Sequence, residues 1–498
     1  MGYIVALSVL MMRAYSVLFL LECVFEIFIW LSVLVLLGGM VSCGFRLRSI
    51  VLRNFLSFKD AVLDLGRLNI VVGPNASGKS NLINLFRFLR LCFGVSEEPR
   101  LPYLPWWSSR NLVWGFDESL PVKVGFVIKD SAGRSIYYGL VFSMAGDVSL
   151  EEEELVIGDF TRVVRRGRVV EVSNSEGIVE KLAGDKLSFR SAVESCFREE
   201  GSRFVVFMGT EVRAEVFERF VDEVLGKLGY SRFVLKKGFS ELSLVLLNEI
   251  KDMCLLARTS YGEVVGKMFI DEKGFGVSGA LVVPSREYLL SLCSYLLRLF
   301  KPFVIGPINF SVVKEPVYAR REDFLEYDCR NLVNVLYNMY LSDREKWEEL
   351  VYLLKTYFFP DIDLSFRLTE TGKVMLVVRE KGLEHPIPPT NLPSGLYKVL
   401  ALLLAVLLEP PIIAVDELEN SLHPGFIDSV LSLLRDCEST CIVTTHSPAV
   451  LDLVDLSEVV VVEKGPEGSK FSRIRDVDEV KKWLQKVKAS VSDYVFYR

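Results

Sequence analysis

Hydrophobic and polar positions along the chain follow two different spacings. Over residues 120–183, short β-branched runs are separated by turn residues, as in VKVGFVIKD, RSIYYGLVF, ELVIG and RVVEV. This pattern predicts a set of antiparallel strands. From about residue 187 to residue 300 the apolar residues recur every three or four positions, as in EVFERFVDEVLGKLG, FSELSLVLLNEIKDMCLLA and REYLLSLCSYLLRLF. This spacing predicts a compact, mainly helical insertion.

Three short apolar runs predict further strands, and each one ends at polar residues or glycine. They are Leu68–Val72, Ile412–Val415 and Cys441–Thr444. An amphipathic helix is expected from Asn81 onward, and Leu400–Val406 reads as the core of an apolar helix. The chain thus alternates strands and helices at both ends of its sequence.

Composition places the chain among globular proteins. Its 498 residues are 50% hydrophobic and 24% charged, enough for two or three domains with a large core. The net charge of -6 gives no overall basic field for nucleic acid. The local basic patch at Arg162, Arg165, Arg166 and Arg168 follows the acidic run 151–154, so a solvated hairpin is favoured over a nucleic-acid contact. Nine scattered cysteines indicate no zinc or disulfide framework and suit a reducing, intracellular setting.

The sequence after the first apolar run matches the phosphate-loop pattern GxxxxGK[ST] in a strand–loop–helix context. The residues expected to bind nucleotide are Gly73, Pro74, Asn75, Ala76, Ser77, Gly78, Lys79, Ser80 and Asn81. The two glycines let the backbone approach phosphate, and the N-terminus of the following helix favours anions. We expect Lys79 to reach the β- and γ-phosphates of ATP and Ser80 to bind Mg²⁺.

The second run, Ile412–Val415, ends in two carboxylates. Asp416 is expected to hold Mg²⁺ through its water shell, and Glu417 to polarise the attacking water as a general base. Neighbouring strand residues point to opposite faces, but both side chains can turn toward a site at the end of a strand. Glu419 and Asn420 either shape the turn or contact a partner. His423 has either a role at the edge of the site or a packing role at a helix start.

His446 follows the third run, one helix and one strand after the acidic pair, so the two strand ends can be neighbours. An imidazole there could hydrogen-bond the γ-phosphate and report its presence.

Five segments, in this order, resemble the SMC/RecF-like branch of ABC-type ATPases: NFLSFKD, GPNASGKSN, LPSGLYKVLAL, IIAVDELENSLHP and TTHSP. The resemblance covers residues 46–92 and 385–463, with a weaker match at EYDCRNLVNVLYNMY, and is closest to the stand-alone prokaryotic AAA-type core, or OLD-like, ATPases. It implies an α/β P-loop NTPase fold of the ABC-ATPase head type. The expected parts are a mixed central sheet with flanking helices, an antiparallel β subdomain and a helical insertion.

The resemblance also implies a domain division and a partner. The expected regions are a hydrophobic segment (1–44), the first part of the ATPase head (45–185), the insertion (186–302) and the second part of the head (303–498). In this family, ATP lies between two heads. A homodimer is therefore implied, in which Ser394 and Gly395 at a helix N-terminus contact the γ-phosphate bound by the other chain. Lys398, one turn later, could add charge. A role in DNA repair or in defence against foreign DNA, with DNA or an unknown protein as partner, follows by analogy only.

The chain also departs from the family pattern. Its only glutamine is Gln485, so the glutamine that ABC-type ATPases carry after the phosphate-loop helix is absent or replaced by a residue that the sequence does not identify. Too few residues follow His446 for the nuclease domain of OLD-like proteins. Two alternatives remain: the energising ATPase of a membrane transporter, which LPSG in place of LSGGQ disfavours, and an ATP-gated switch with negligible hydrolysis. For Trp106, Trp107 and Trp114, a domain-interface cluster is favoured over stacking on a base.

The N-terminal segment is strongly apolar. Ile27–Val41 carries no charge, and extension back to Cys23 makes it long enough to cross the ~30 Å hydrocarbon core. The arginines that follow it favour a cytoplasmic location for the ATPase, anchored through residues 23–43. A start codon assigned too early, with Met40 as the true start, is an equal alternative. A cleaved signal peptide is weaker because it would export the site away from ATP.

Overall fold

The structure is a computed structural model. It describes residues 44–93, 101–146, 148–157, 161–166, 169–174, 177–183, 241–246, 253–259, 262–271, 274–284, 286–322, 324–474, 476–487 and 489–496. The chain divides into two compact units. The larger unit consists of Arg46–Phe126, Val141–Ser149 and Leu296–Arg498, and the smaller unit includes Val127–Leu140 and Leu150–Tyr295.

The strands that the structure describes carry the labels β1 to β21 in chain order. They are β1 (Arg46–Phe55), β2 (Phe58–Asp64), β3 (Leu68–Val72), β4 (Val122–Lys129), β5 (Ser135–Ser143), β6 (Ser149–Ile157), β7 (Thr161–Arg166), β8 (Val169–Asn174), β9 (Gly177–Ala183), β10 (Glu241–Leu246), β11 (Met253–Thr259), β12 (Gly262–Asp271), β13 (Gly274–Pro284), β14 (Phe303–Ile305), β15 (Val317–Tyr318), β16 (Ile362–Leu368), β17 (Lys373–Glu380), β18 (Ile412–Val415), β19 (Thr440–Thr444), β20 (Val459–Gly465) and β21 (Gly468–Arg473).

The described helices carry the labels α1 to α10. They are α1 (Lys79–Phe93), α2 (Arg286–Leu299), α3 (Phe310–Val313), α4 (Leu332–Ser342), α5 (Arg344–Tyr357), α6 (Ser394–Leu408), α7 (Pro424–Asp436), α8 (Pro448–Leu451), α9 (Val477–Val487) and α10 (Val491–Phe496).

The larger unit is built on a six-stranded sheet with the strand order β14-β18-β19-β3-β20-β21. Neighbouring strands run parallel from β14 to β20, and only β21 is antiparallel to its neighbour. All residues of β3, β18 and β19 are buried, as suits apolar runs in a parallel sheet covered on both faces. The predicted strands and the mixed central sheet of an α/β fold are therefore confirmed. The carboxyl ends of β14, β18, β19 and β3 meet at one edge of the sheet.

Helices α4 to α7 contribute to one hydrophobic core on this sheet, together with Leu68, Ile70, Ile413 and Val443. Helix α6 is apolar on nearly all sides and almost entirely buried, as expected for a helix with neighbours all round. It packs between α5 and α7 and also contacts β14, whereas α1 contacts β14 and β18. These contacts hold the helices that follow the phosphate loop and LPSG against the sheet.

The smaller unit contains the antiparallel series β6-β7-β8-β9. The strand-rich character predicted for residues 120–183 is confirmed, and the basic segment forms the β7–β8 hairpin as expected. Its arginines pair with the preceding acidic strand, at 2.6 Å for Arg162–Glu154, 2.8 Å for Arg165–Glu153 and 2.6 Å for Arg166–Glu152. Each of these three arginines of β7 therefore forms an ion pair with a different glutamate of β6. Arg168 lies outside the described residues.

The insertion corrects one prediction. The segment FSELSLVLLNEIKDMCLLA, predicted to be helical, contains β10 and most of β11, which pair antiparallel with Leu244 opposite Leu255. The pairing continues through β12 to β13. The sequence ELSLVL also fits a spacing of two, and hairpin partners supply its backbone hydrogen bonds, so strand formation prevails. Only REYLLSLCSYLLRLF is confirmed as a helix, α2, while EVFERFVDEVLGKLG lies outside the described residues. The domain limits stay a prediction.

Within the part of the chain that the structure describes, no helix combines the length and the apolar character needed to cross a membrane. Residues 23–43, for which we predicted a membrane anchor, and Met40 lie outside that part.

Candidate functional site

The phosphate-loop sequence follows β3 directly, at the sheet edge where the parallel strands end. A Cβ atom on Gly73 would lie 2.2 Å from the carbonyl oxygen of Val462, and one on Gly78 would lie 2.6 Å from the Ser57 hydroxyl. Both positions therefore require glycine. The Ser77 hydroxyl is buried and has no hydrogen-bond partner among the described residues. A tight backbone loop that leads into the N-terminus of α1 is the arrangement that binds phosphate.

Lys79 is the first residue of α1 and is buried. Its ammonium group donates hydrogen bonds to the carbonyl oxygens of Gly73, at 2.8 Å, and Pro74, at 2.9 Å. Burial lowers the pKa of Lys79, and the negative charges of Asp416, Glu417 and Glu419 oppose this shift. The lysine thus lies inside its own loop and within the field of the acidic strand end.

Asp416 and Ser80, which we predicted to bind Mg²⁺, lie next to each other. The Ser80 hydroxyl donates to Oδ1 of Asp416 at 3.3 Å. The Thr444 hydroxyl donates to the same oxygen at 2.7 Å and accepts the backbone N–H of Glu417 at 2.8 Å. Thr444 comes from β19 and therefore links the two strand ends. A hydroxyl and a carboxylate are the hard oxygen ligands that Mg²⁺ prefers, with phosphates and water completing its shell.

Glu417 has a left-handed backbone, with φ of 49°. This conformation costs a residue other than glycine about 1–3 kcal/mol and occurs often at functional sites. Because of this turn, the side chains of Asp416 and Glu417 need not point to opposite faces of the sheet, as neighbouring residues within a strand do. The side-chain amide of Asn420 donates to the Glu417 carboxylate. Asn420 therefore shapes the turn, which was one of the two roles predicted for it.

His446 is exposed at the end of β19, and its backbone is held by Glu419. One carboxylate oxygen of Glu419 accepts the His446 N–H at 2.7 Å, and the other accepts the Thr445 hydroxyl at 2.8 Å. These hydrogen bonds join the acidic turn, residues 416–421, to the start of the segment that follows β19. His423 instead serves the start of α7, where its Nδ1 accepts the N–H of Gly425 at 3.1 Å.

Ser394 and Gly395 begin α6 and are half-buried. A Cβ atom on Gly395 would lie 3.0 Å from the carbonyl oxygen of Ser421, so the helix start rests on the acidic turn. Among the described residues, no hydrogen bond joins either of them to the phosphate loop of the same chain. The prediction that Lys398 adds charge beyond the helix start is wrong, because Lys398 is 2% exposed and points inward. Its ammonium lies 3.5 Å from the carbonyl oxygen of Glu417, and burial lowers its pKa to about 8.

The three tryptophans have separate surroundings. The Arg87 guanidinium lies 5.4 Å from the Trp106 ring, and the Lys59 ammonium lies 5.0 Å from the Trp114 ring. Trp107 is 89% exposed.

Sequence reasoning missed Thr444 as a residue of this site, where its hydroxyl contacts Asp416 and the backbone of Glu417. A threonine at the last position of a buried strand, beside the histidine, was the available signal for Thr444.

Two protein families match the chain. The family described as "AAA domain" matches residues 49–219, and the family described as "AAA domain, putative AbiEii toxin, Type IV TA system" matches residues 295–452. No curated protein matches the chain.

Among solved structures, the chain is similar at 12% identity to three SMC head domains. The first is the SmcHead bound to the C-winged helix domain of ScpA, with a TM-score of 0.40 over 86% of this chain and 98% of that chain. The second is the SMC head domain from Thermotoga maritima, with a TM-score of 0.33 over 86% and 99%. The third is the Smc head domain with an extended coiled coil, bound to the C-terminal domain of ScpA derived from Pyrococcus furiosus, with a TM-score of 0.39 over 89% and 100%.

The two AAA-domain matches contain the phosphate loop and the acidic strand end, and the sheet brings these together at one edge. The chain is therefore similar to AAA-domain families in both of the parts that meet at this edge.

Proposed function

We propose that the chain binds ATP with Mg²⁺ and hydrolyses it to ADP and phosphate. The observation that carries this proposal is the 3.3 Å hydrogen bond between Ser80 and Asp416, which brings the phosphate loop and the acidic strand end together. Lys79 and Glu417 flank this pair. A hydroxyl, a carboxylate, an ammonium and a second carboxylate at one sheet edge are the groups that phosphoryl transfer to water needs.

Each group has one task in the reaction. Lys79 leaves the carbonyl oxygens of its loop and binds the β- and γ-phosphates. Ser80 and Asp416 hold Mg²⁺, which neutralises charge on the phosphate oxygens when bound. Glu417 accepts a proton from the water that attacks the γ-phosphorus, and the bond to the β-phosphate oxygen breaks. His446 donates a hydrogen bond to the γ-phosphate.

The nucleotide site is completed by a second copy of the chain. Ser394 and Gly395 present a helix N-terminus, and the Gly395 contact with Ser421 sets its position against the acidic turn. A helix N-terminus with a serine hydroxyl favours the γ-phosphate of a nucleotide held by the partner. The proposal is therefore a head-to-head homodimer that closes on ATP and opens after hydrolysis.

The test compares ATP turnover, ATP binding and oligomeric state in the wild type, Glu417→Gln and Ser394→Arg. Glu417→Gln is expected to abolish turnover and to accumulate an ATP-bound dimer. Ser394→Arg is expected to leave ATP binding by the monomer intact and to prevent the dimer. Ser365→Arg, at an exposed position of β16, is the matched control and should behave like the wild type.

Three results would count against parts of the proposal. Loss of ATP binding by Ser394→Arg monomers would show that Ser394 acts within its own chain. Turnover at the wild-type rate in Glu417→Gln would show that Glu417 is not the general base. Absence of ATP turnover in the wild type would favour the ATP-gated switch.

A place in defence against foreign DNA is proposed by analogy with the family resemblance. DNA repair is the alternative within the same family resemblance. Linear, circular and single-stranded DNA added to the turnover assay distinguish these from a function without DNA, because a DNA-dependent ATPase changes its rate with the form of DNA.

A further inference from the structure

Two cysteines meet at the edge of the sheet opposite the candidate nucleotide site. Cys437 directly follows α7, and Cys441 lies in β19, three residues before Thr444. Their sulfur atoms are 3.5 Å apart, and both residues are buried. The backbone N–H of Cys441 donates to the carbonyl oxygen of Arg67, just before β3. The pair therefore lies where the parallel strands begin.

The end of α7 holds both sulfur atoms in place. The carbonyl oxygen of Leu434 lies 3.3 Å from the Cys437 sulfur and 3.5 Å from the Cys441 sulfur, and it can accept a hydrogen bond from either thiol. The two side chains thus reach the same carbonyl oxygen from two different elements. A disulfide bond is about 2.05 Å long, so the sulfur atoms need to approach by about 1.5 Å. Because each sulfur is one bond from its Cβ atom, side-chain rotation can supply this movement.

The surroundings of the pair favour Cys437 as the reactive member. Its hydrogen bond with Cys441 outweighs burial and lowers the pKa of Cys437 to about 7, and the charge of Arg67 adds to this shift. The same hydrogen bond, together with burial, raises the pKa of Cys441 well above its usual value. Cys437 is 8% exposed, between the exposed residues Asp436 and Glu438, whereas Cys441 is fully buried. Since the thiolate is the nucleophilic form of cysteine, Cys437 is expected to react first.

We propose that Cys437 and Cys441 form a reversible oxidation site, at which a peroxide creates a disulfide between the end of α7 and the start of β19. The Cys437 thiolate attacks one peroxide oxygen and the O–O bond breaks, which leaves a sulfenic acid and a hydroxide ion. The hydroxide takes up the proton that Cys437 lost. The Cys441 sulfur then bonds to the Cys437 sulfur, and the sulfenic oxygen leaves as water. Two thiols are oxidised, and one hydrogen peroxide is reduced to two water molecules.

The position of the pair gives the disulfide a structural effect. Helix α7 and strand β19 are consecutive elements, and the bond would close the short loop between them. Such a bond restricts the unfolded chain and fixes the end of the helix to the sheet. Disulfides inside cells are usually transient and sense the redox state, which suits a bond that a dithiol can reduce again. The site acts without nucleotide and so goes beyond the proposed ATPase function.

Oxidation of the full chain with hydrogen peroxide, followed by peptide mass spectrometry, tests the site. In the wild type, the peptide that contains residues 437–441 should lose two hydrogen atoms, and dithiothreitol should restore them. The linked protein should melt about 2 °C above the reduced protein. In Cys441→Ser, Cys437 should stop at the sulfenic acid and react with dimedone. In Cys437→Ser, the same peptide should remain unmodified.

Cys92 in α1 is the internal control, because burial raises the pKa of its thiol above the usual value. It should stay reduced at the peroxide dose that links the pair. An unmodified 437–441 peptide in the wild type would overturn the proposal, as would oxidation of Cys92 before the pair or a disulfide from Cys437 to any other cysteine. A linked protein that melts no higher than the reduced one would refute the structural effect.

Discussion

Glu419 offers the sharpest test of how the site is held together. Its carboxylate accepts two hydrogen bonds, from the His446 N–H at 2.7 Å and from the Thr445 hydroxyl at 2.8 Å. Glu419→Gln removes the negative charge that strengthens both hydrogen bonds and leaves one acceptor oxygen in place of two. A hydrogen bond to a charged group contributes about 1.5–3 kcal/mol. Loss of about 2 kcal/mol from the positioning of His446 corresponds to a decrease in kcat of about 30-fold.

Steady-state turnover and equilibrium ATP binding together test this expectation. Since His446 is assigned to the γ-phosphate during hydrolysis, kcat should fall in Glu419→Gln while the dissociation constant for ATP changes little. The control is Glu348→Gln, which removes an exposed ion pair with Arg344 and should leave both values unchanged. Wild-type kcat in Glu419→Gln would refute the positioning role. An equal loss of ATP binding and turnover would show that Glu419 supports the whole loop instead.

Two further predictions concern the loop and the buried lysine. Gly73→Ala should abolish ATP binding, measured by titration calorimetry, because its Cβ would lie 2.2 Å from the Val462 carbonyl oxygen; binding at wild-type affinity would contradict the close approach. Lys398 has its pKa lowered by burial from 10.5 to about 8, so between these pH values the unfolded chain binds more protons than the folded one. Wild-type stability should therefore rise with pH between about 8 and 10 relative to Lys398→Met, as measured by urea unfolding, and parallel curves would refute this.

The sequence was most informative where a function depends on neighbouring residues. A glycine-rich loop between a strand and a helix, and a carboxylate pair at the end of an apolar run, are local patterns, and the structure places both at one sheet edge. The contacts of Thr444 could not be found in this way, because they depend on the pairing of β18 with β19. Lys398 was misassigned because α6 is apolar on nearly all sides, so spacing along it does not show which side faces the acidic turn.

The insertion was mispredicted for a different reason. The leucines of FSELSLVLLNEIKDMCLLA fit both a three-to-four-residue spacing and an alternation. The choice between them was made by antiparallel partners that the isolated segment does not contain. Strand formation in β10 thus depends on residues of β11, and those depend in turn on β12.

The rigid attachment of α6 to the acidic turn has a consequence for timing in a closed dimer. Gly395 lies against the Ser421 carbonyl oxygen, and the Lys398 ammonium lies 3.5 Å from the Glu417 carbonyl oxygen. The helix start proposed to contact the partner's nucleotide and the proposed general base for the chain's own nucleotide therefore belong to one packed unit. A movement of this unit at one nucleotide also changes its contacts with the other nucleotide. In the proposed dimer, the two hydrolysis events would therefore be synchronised, and one inactive copy would slow its active companion.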